Sequence, residues 1–249
     1  MHVTIVIPAR DEAPHIAVAI EAVDRALTPL SVSYDVVVVD DHSEDDTASA
    51  ALTAAVRCPL SVTANPGAPG KGAALRQGFA RSRGDLVGFL DADLEFPAAI
   101  LTAMVDAACR SGHPHRWVGI GRRAGDRRRW HERWSSRLAH WLIERGLGLG
   151  LNDTQAGVKL FPGWFARDIL TLGQEDGWLF DLEALWWARQ CTLEIAEFPV
   201  VQRQVRPRRA GLGEMARCLG DFWALSRRLS HTAWFPNDDR PPAWLADRP

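Results

Sequence analysis

Cysteine is scarce in this 249-residue chain, and what there is lies scattered. Cys58, Cys109, Cys191 and Cys218 form no C-x-x-C pair, so neither a zinc site nor a dithiol redox motif is expected, and reduced thiols are the simpler reading. Long apolar runs are missing as well. No stretch approaches the roughly 18 residues that a membrane span needs. The opening MHVTIVIPARDEA has no basic segment ahead of a long apolar one, so it reads as a first strand and not as a secretion signal. There is no internal repeat and no low-complexity tract. The familiar glycine signatures are absent too. Gly70-Lys71-Gly72 does not have the G-x-x-x-x-G-K-[ST] spacing of a P-loop, and without G-x-G-x-x-G a dinucleotide fold is disfavoured.

What remains is ordinary globular composition, 47% hydrophobic and 24% charged, in a length that suits one large α/β unit. The net charge of −2 hides an asymmetry. Residues 1–100 carry 7 Lys and Arg against 14 Asp and Glu, whereas residues 101–249 carry 22 against 17. This reads either as scattered solvated charge or as an acidic, metal-binding half joined to a basic half that faces anions.

Apolar, β-branched runs predict strands at 3–8, 34–40, 60–63, 86–90, 118–121, 157–161 and 193–203. Between them, helical spacing predicts helices over 13–27, 43–56, 73–82, 97–110, 130–145, 162–171 and 179–190. The continuous valines 36–39 suit a parallel strand buried on both faces. The alternation as a whole predicts a Rossmann-like, mostly parallel twisted sheet flanked by helices. Residues 1–210 form the expected catalytic unit. Residues 211–249 form an amphipathic helix over 212–229 and an irregular tail.

Asp91-Ala92-Asp93 comes directly after the apolar run that ends at Leu90. Ligands of open α/β sheets bind at strand ends. Two carboxylates that close repel unless a cation or a shared proton lies between them, and Mg²⁺ characteristically combines one or two carboxylates with substrate phosphates. The alternative is a solvated Asp-containing turn. Val39-Asp40-Asp41-His42-Ser43 repeats the pattern at a second strand end, where a carboxylate could accept hydrogen bonds from a base or ribose and Ser43 or Asp46 could instead cap a helix. Lys71, at the end of the glycine loop, could hold a nucleotide by charge.

Taken in order, IVIPARDEA, VVVVDDHSEDDT, NPGAPGKGAALRQGFARSRGDLVGFLDADLEFP, NDTQAGVKLF, GWLFDLEAL and EFPVVQRQV resemble the inverting family 2 glycosyltransferases of the GT-A fold, over roughly residues 3–206. Within that family the blocks are most similar to the dolichyl-phosphate glucosyl- and mannosyltransferases and their bacterial polyprenyl-phosphate relatives.

The resemblance implies roles. Pro8, Ala9, Asp11 and Glu12 would line the nucleoside pocket, with Asp41 and Lys71 beside it. Asp91 and Asp93 would hold Mg²⁺ or Mn²⁺, Asp93 more directly. Glu95, where many relatives have Gln, would join that shell. Arg123 or Arg122 would contact the acceptor phosphate, and Arg133 could do the same. Asp153 and Gln155 would face the acceptor. Arg203 and Arg206 would close over the donor phosphates. Asp181 and Glu183 stand in the block that supplies a base in some relatives, and Glu183 is equally well read as a helix-surface carboxylate. Arg127, Arg128 and Arg129 read as solvated surface.

The expected reaction is metal-dependent, inverting transfer of a hexose from a nucleotide sugar, UDP-glucose ahead of GDP-mannose, to a polyprenyl phosphate. The expected location is the cytoplasm, with peripheral contact at the inner face of the membrane and no nucleic-acid partner. A soluble hydroxyl acceptor is the nearest alternative. A nucleotidyltransferase would need a Gly- and Arg-rich loop after the first strand, and a non-catalytic binding module predicts a degraded acidic motif. IPARDEAPH supplies no such loop and Asp91-Ala92-Asp93 is whole.

Overall fold

In the computed structural model the described residues are 1–124, 143–202 and 212–231, the last segment with side chains from 218 to 230. Seven strands form one sheet: β1 (His2–Ala9), β2 (Ser33–Asp40), β3 (Leu60–Ala64), β4 (Leu86–Leu90), β5 (Trp117–Arg123), β6 (Val158–Pro162) and β7 (Glu194–Val200). Their spatial order is β3-β2-β1-β4-β6-β5-β7. Strands β1 to β4 are mutually parallel, β5 and β7 are parallel to each other, and β6 runs antiparallel to both β4 and β5. The carboxyl ends of β1, β2, β4, β5 and β7 therefore meet the amino end of β6 at one rim.

Period-two alternation distributes the strand side chains between two cores. Val3, Ile5 and Ile7 of β1, Val36 and Val38 of β2, Leu86 and Leu90 of β4, and Val158 and Leu160 of β6 face one side. There they meet α1 (Ile16–Leu27), through Ile16, Ala19, Ile20, Val23 and Leu27, and α4 (Ile100–Arg110), through Leu101, Met104 and Val105. Val6, Val37, Val39, Val87, Phe89 and Phe161 face the other. On that side α3 (Lys71–Arg81) contributes Leu75 and Phe79, and α5 (Phe180–Gln190) contributes Phe180, Leu182 and Leu185. Phe79, Phe89, Phe161, Phe165 and Phe180 form a contiguous aromatic group with ring centroids 5.8–6.5 Å apart. Each such side chain contributes about 1.5–3 kcal/mol by leaving water.

The helix expected from residue 43 shortens to α2 (Thr47–Ala51). Residues 42–46 are committed to a turn in which His42 is left-handed (φ 62°) and Asp45 accepts from the Thr47 amide and hydroxyl. The helix expected over 162–171 is two short turns, Phe165–Ile169 and Leu170–Leu172. Of the helix expected near 130–145, the described part, 143–147, is helical. The last helix, α6 (Leu212–His231), packs Phe222, Leu225 and Leu229 into the second core. Phe222 lies against Gly146, and the Ser226 hydroxyl donates to the Gly146 carbonyl. Arg228 of this helix is half-buried and paired with Glu175 and Glu183, each at 3.5 Å. Among the described residues no helix is long and apolar enough to cross a membrane.

Candidate active site

The rim is built by the loops that leave the strand ends. Just past β1, β2 and β4, the residues Asp11 (φ 54°), His42 (φ 62°) and Leu94 (φ 52°) all adopt the left-handed conformation. Non-glycine residues rarely do so, and such residues concentrate at functional sites. After β1, the amide of Asp11 donates to the Ser43 hydroxyl (3.0 Å), that of Glu12 to the Thr47 hydroxyl (2.8 Å), and that of Ala13 to Asp45 (3.1 Å). In return the Asp11 carboxylate accepts the Glu44 amide at 2.8 Å. The loops after β1 and β2 thus hold one another, with Ala9 buried beneath them and Asp11 exposed to solvent.

Asp41 is buried, and both its oxygens are engaged. One accepts the Asn65 side-chain amide at 2.7 Å and the other the Gly70 backbone amide at 2.8 Å. In this structure it holds the loop that delivers Lys71, with one donor on each of its oxygens. The Asp176 carbonyl accepts the Gly72 amide at 2.8 Å and fixes the same loop from the far side. A side chain on Gly72 would collide with the Glu175 carbonyl, so the close approach of these two loops requires glycine there.

Lys71 opens α3 and reaches under the rim. Its ammonium lies 2.8 and 3.0 Å from the two oxygens of Asp91 and 3.5 Å from Asp181. It stands over the Phe89 ring at 4.9 Å and beside the Trp178 ring at 5.7 Å. The other oxygen of Asp181 accepts from Lys159 at 2.6 Å. Lys159 is fully buried, at 0% exposure, and also donates to the Ala156 carbonyl at 2.9 Å. Two carboxylates and two ammoniums therefore alternate as Asp91, Lys71, Asp181, Lys159. Burial pushes the Asp91 carboxyl up against the opposing pull of Lys71. Burial also lowers Lys159, with Asp181 opposing it. At Lys71 burial again acts downward, but the carboxylates of Asp181 and Asp91 outweigh it and the ammonium is held above its ordinary value. Gly157 sits against Asp91, where any side chain would meet the carboxylate.

Asp93 is half-buried, and one of its oxygens accepts the Glu95 amide at 3.0 Å. Among the described residues no cationic side chain pairs with it. Glu95 itself accepts a hydrogen bond from the Gln202 side chain. Among the described residues no three His, Cys, Asp or Glu side chains converge as an ion cage. The expectation that Glu95 completes a shell with Asp91 and Asp93 is thus not met by the geometry. What the rim does present is a pair of carboxylates, which suits a divalent ion that brings further oxygens with its substrate phosphates.

At the end of β5, Arg123 binds Asp153 twice, through its amide (3.0 Å) and its guanidinium (3.1 Å), and reaches the Gln155 carbonyl at 3.4 Å. Its guanidinium lies 5.5 Å from the Phe96 ring. Arg123 and Asp153, each expected on the acceptor side, are in contact, and the backbone carbonyl of Gln155 lies beside them. Arg122 stands 4.0 Å from Glu197. Glu183 is a correction. It is buried and accepts the amides of Gln174 (3.2 and 3.1 Å) and Glu175 (2.9 Å), so it ties down the loop before α5, and the acidic residue of that helix that reaches Lys71 is Asp181. Arg133, Arg203 and Arg206 lie outside the described residues, as do Arg127, Arg128 and Arg129.

Lys159 and the role of Asp181 were missed from sequence. The signal was present in both cases: a charge inside an apolar block, one in VKLF and two in WLFDLEAL, needs a partner once the block is buried.

Comparison with known proteins agrees with this architecture. The model of glycosyl transferase family 2 matches residues 4–165. A dolichyl-phosphate beta-glucosyltransferase of Trichomonas vaginalis is 26% identical over an alignment covering 96% of this chain and 74% of that protein. An undecaprenyl-phosphate 4-deoxy-4-formamido-L-arabinose transferase of Pseudomonas paraeruginosa is 33% identical over 61% of this chain, and the match spans only 44% of that relative's length. Among solved structures, glucosyl-3-phosphoglycerate synthase of Mycobacterium tuberculosis, crystallised with Mn²⁺, UDP and phosphoglyceric acid, superposes with a TM-score of 0.65 at 21% identity, covering 92% of this chain and 75% of that one. That likeness establishes the fold.

Proposed function

The chain belongs to glycosyl transferase family 2 and is a glycosyltransferase, and from that premise we propose that it passes a hexose from a nucleotide sugar to a polyprenyl phosphate with inversion. UDP-glucose is the favoured donor and GDP-mannose the second. A relative that aligns with nearly the whole chain is named for β-glucosyl transfer to dolichyl phosphate, which supports glucose, a lipid phosphate and a β-linked product.

The observation that carries the reading is the rim beyond β4, where Asp93 stands with no cationic partner among the described residues beside an Asp91 held by Lys71. Asp91 and Asp93 would hold Mg²⁺ or Mn²⁺. Such an ion, when bound, neutralises charge that grows on the departing nucleoside diphosphate. Pro8, Ala9, Asp11 and Glu12 line the nucleoside pocket, and Asp41 shapes it through the loop it holds. Arg123, oriented by Asp153 and flanked by Gln155, meets the acceptor phosphate with Arg122 behind it. Arg133, for the acceptor, and Arg203 and Arg206, for the donor phosphates, lie outside the described residues and keep only the roles that the family resemblance implies.

A phosphate acceptor is already ionised at neutral pH and needs no general base. This fits the two acidic residues of α5, since Asp181 is neutralised by two ammoniums and Glu183 by backbone amides. The outward face of α6 carries Trp223, 60% exposed, with Leu219 one turn before it and exposed Arg227 one turn after. An apolar pair beside a cation suits the surface of an anionic bilayer, where the acceptor resides.

The test is transfer from UDP-glucose or GDP-mannose, with Mn²⁺, to a short polyprenyl phosphate and in parallel to soluble hydroxyl acceptors. Product on the lipid phosphate is expected. Product on hydroxyl acceptors alone would overturn the assignment of acceptor. Sedimentation with phosphatidylglycerol vesicles tests the membrane contact, and equal recovery in the supernatant with and without vesicles would remove it.

A further inference from the structure

The charge arrangement around Lys71 raises a question that metal binding at Asp91 must answer. One ammonium already occupies Asp91, contacting both oxygens at 2.8 and 3.0 Å. A divalent ion arriving at that carboxylate would meet a buried like charge at close range, in surroundings where water screens poorly. The ammonium has to go somewhere, and leaving it unpaired in the interior is costly.

Asp181 is placed to receive it. Its nearer oxygen already stands 3.5 Å from the Lys71 ammonium, while its other oxygen is fixed by Lys159 at 2.6 Å. Asp181 thus has one oxygen committed and one turned towards Lys71. The Phe89 ring lies 4.9 Å from the Lys71 ammonium and 5.4 Å from that of Lys159, so the two cations share one aromatic neighbour. The start of α3 is pinned by the Asp176 carbonyl, so a change of partner needs movement of the Lys71 side chain alone.

We infer that Lys71 is the resident counter-ion of Asp91, and that Asp181 is the seat its ammonium takes when a divalent ion carrying a diphosphate occupies Asp91. The inference rests on the metal reading of Asp91 and Asp93 proposed above. It makes Lys71 and Asp181 positioning residues. Without diphosphate, the ion competes with an internal cation and gains only two carboxylates, so it binds weakly. With diphosphate, the added negative charge offsets the crowding of cations, and the ion binds tightly.

The experiment counts free Mn²⁺ by electron paramagnetic resonance during titration of the full chain, with and without UDP. Lys71→Gln is expected to tighten binding of Mn²⁺ alone by about tenfold or more, equivalent to about 1.4 kcal/mol, and to shrink the enhancement by UDP to match. Asp181→Asn is expected to weaken Mn²⁺ binding in the presence of UDP by about tenfold, because the displaced ammonium loses its seat. Unchanged or weaker binding of Mn²⁺ alone to Lys71→Gln overturns the inference, as does wild-type behaviour of Asp181→Asn with UDP. Should Asp181→Asn fail to fold, the two Lys71 variants, Lys71→Gln and Lys71→Met, decide alone. Failure of the underlying metal reading looks different: Asp91→Asn and Asp93→Asn would then bind Mn²⁺ with UDP as the wild type does.

Discussion

The loops after β1 and β2 and the segments around β6 and α5 share a rim but are held by different forces. On the first side, the pins are hydrogen bonds from backbone amides to hydroxyls and carboxylates of the neighbouring loop: Asp11 to Ser43, Glu12 to Thr47 and Ala13 to Asp45. These groups sit near water, and each contact is worth little alone. On the second side the pins are ionic and buried: Lys159 with Asp181, Arg123 with Asp153, and Glu183 with backbone amides and Arg228. Removing one partner there strands a charge away from solvent. The loops proposed to hold the nucleoside are therefore tied by many replaceable contacts, and the parts proposed to face the phosphates and balance the charge of Asp91 by a few that are not.

Asp93→Ala strikes where the two sides meet and should have the largest effect on function. Turnover is expected to fall by roughly 10²–10³-fold or more, the scale for removing electrostatic stabilisation of the transition state. The melting temperature should hardly move, because Asp93 pairs with no described cation. Steady-state rates beside a thermal melt check this, and retained activity would discard the role.

Lys159→Met should cause the largest loss of stability, about 3–5 kcal/mol by urea unfolding, because Asp181 would be left buried without its closest partner. The double substitution Lys159→Met with Asp181→Leu should recover much of that loss, since a buried ion pair replaced by apolar groups of similar size is often neutral. No recovery would mean that the pair contributes through more than its own charge balance.

Acid should separate the two sides. The Asp91 carboxyl is raised above its ordinary 3.8 by burial. As pH falls from neutral into the window between that raised value and 3.8, Asp91 takes up a proton in the folded chain before it would in the unfolded one. This change favours the folded state and removes the charge proposed to hold the ion, which is also the charge that faces Lys71. On the other side Asp45 is lowered below 3.8, chiefly by the Thr47 hydroxyl. Its stabilising contribution is present above 3.8 and is lost only as pH drops below that value, through the folded pKa. Activity should thus decline on acidification before the β1–β2 loops loosen, and a pH–rate profile run beside hydrogen exchange of the Ala13 and Thr47 amides would show the order. Coincident loss would break the contrast.

The smallest effect is expected from Ser43→Ala, which removes the hydroxyl that accepts the Asp11 amide. About 0.5–1.5 kcal/mol of stability should be lost. A loss on the scale of Lys159→Met would erase the distinction between the two sides.

The same contrast explains what could be read from sequence. Asp11, Asp41, Asp91 and Asp93 each come within a few residues of the end of an apolar strand, so local pattern alone places them at the rim. The seven strands were legible for the same reason. The pairing of Lys71 with Asp91 and Asp181, and of Lys159 with Asp181, depends on strand order and on which face of β6 is covered. Alternation along VKLF would send Lys159 to solvent in a one-sided sheet, and only burial of both faces turns it into a core residue. Glu183 misled because a carboxylate on a helix beside a site looks like a base until its backbone donors, eight and nine residues earlier in the chain, are seen. For Asp41, the family pattern gave the location but not the two donors that occupy it.

The reversal of β6 has one more consequence. The chain leaves the sheet at Arg123 and re-enters it at Val158, and because β6 points back along β5, exit and entry lie at the same edge. An excursion that starts and finishes at one doorway adds no strand between its ends, so a change in its length leaves the register of the sheet as it is, provided the return path through Asp153, Ala156 and Gly157 is kept, because these hold Arg123, Lys159 and the Asp91 carboxylate.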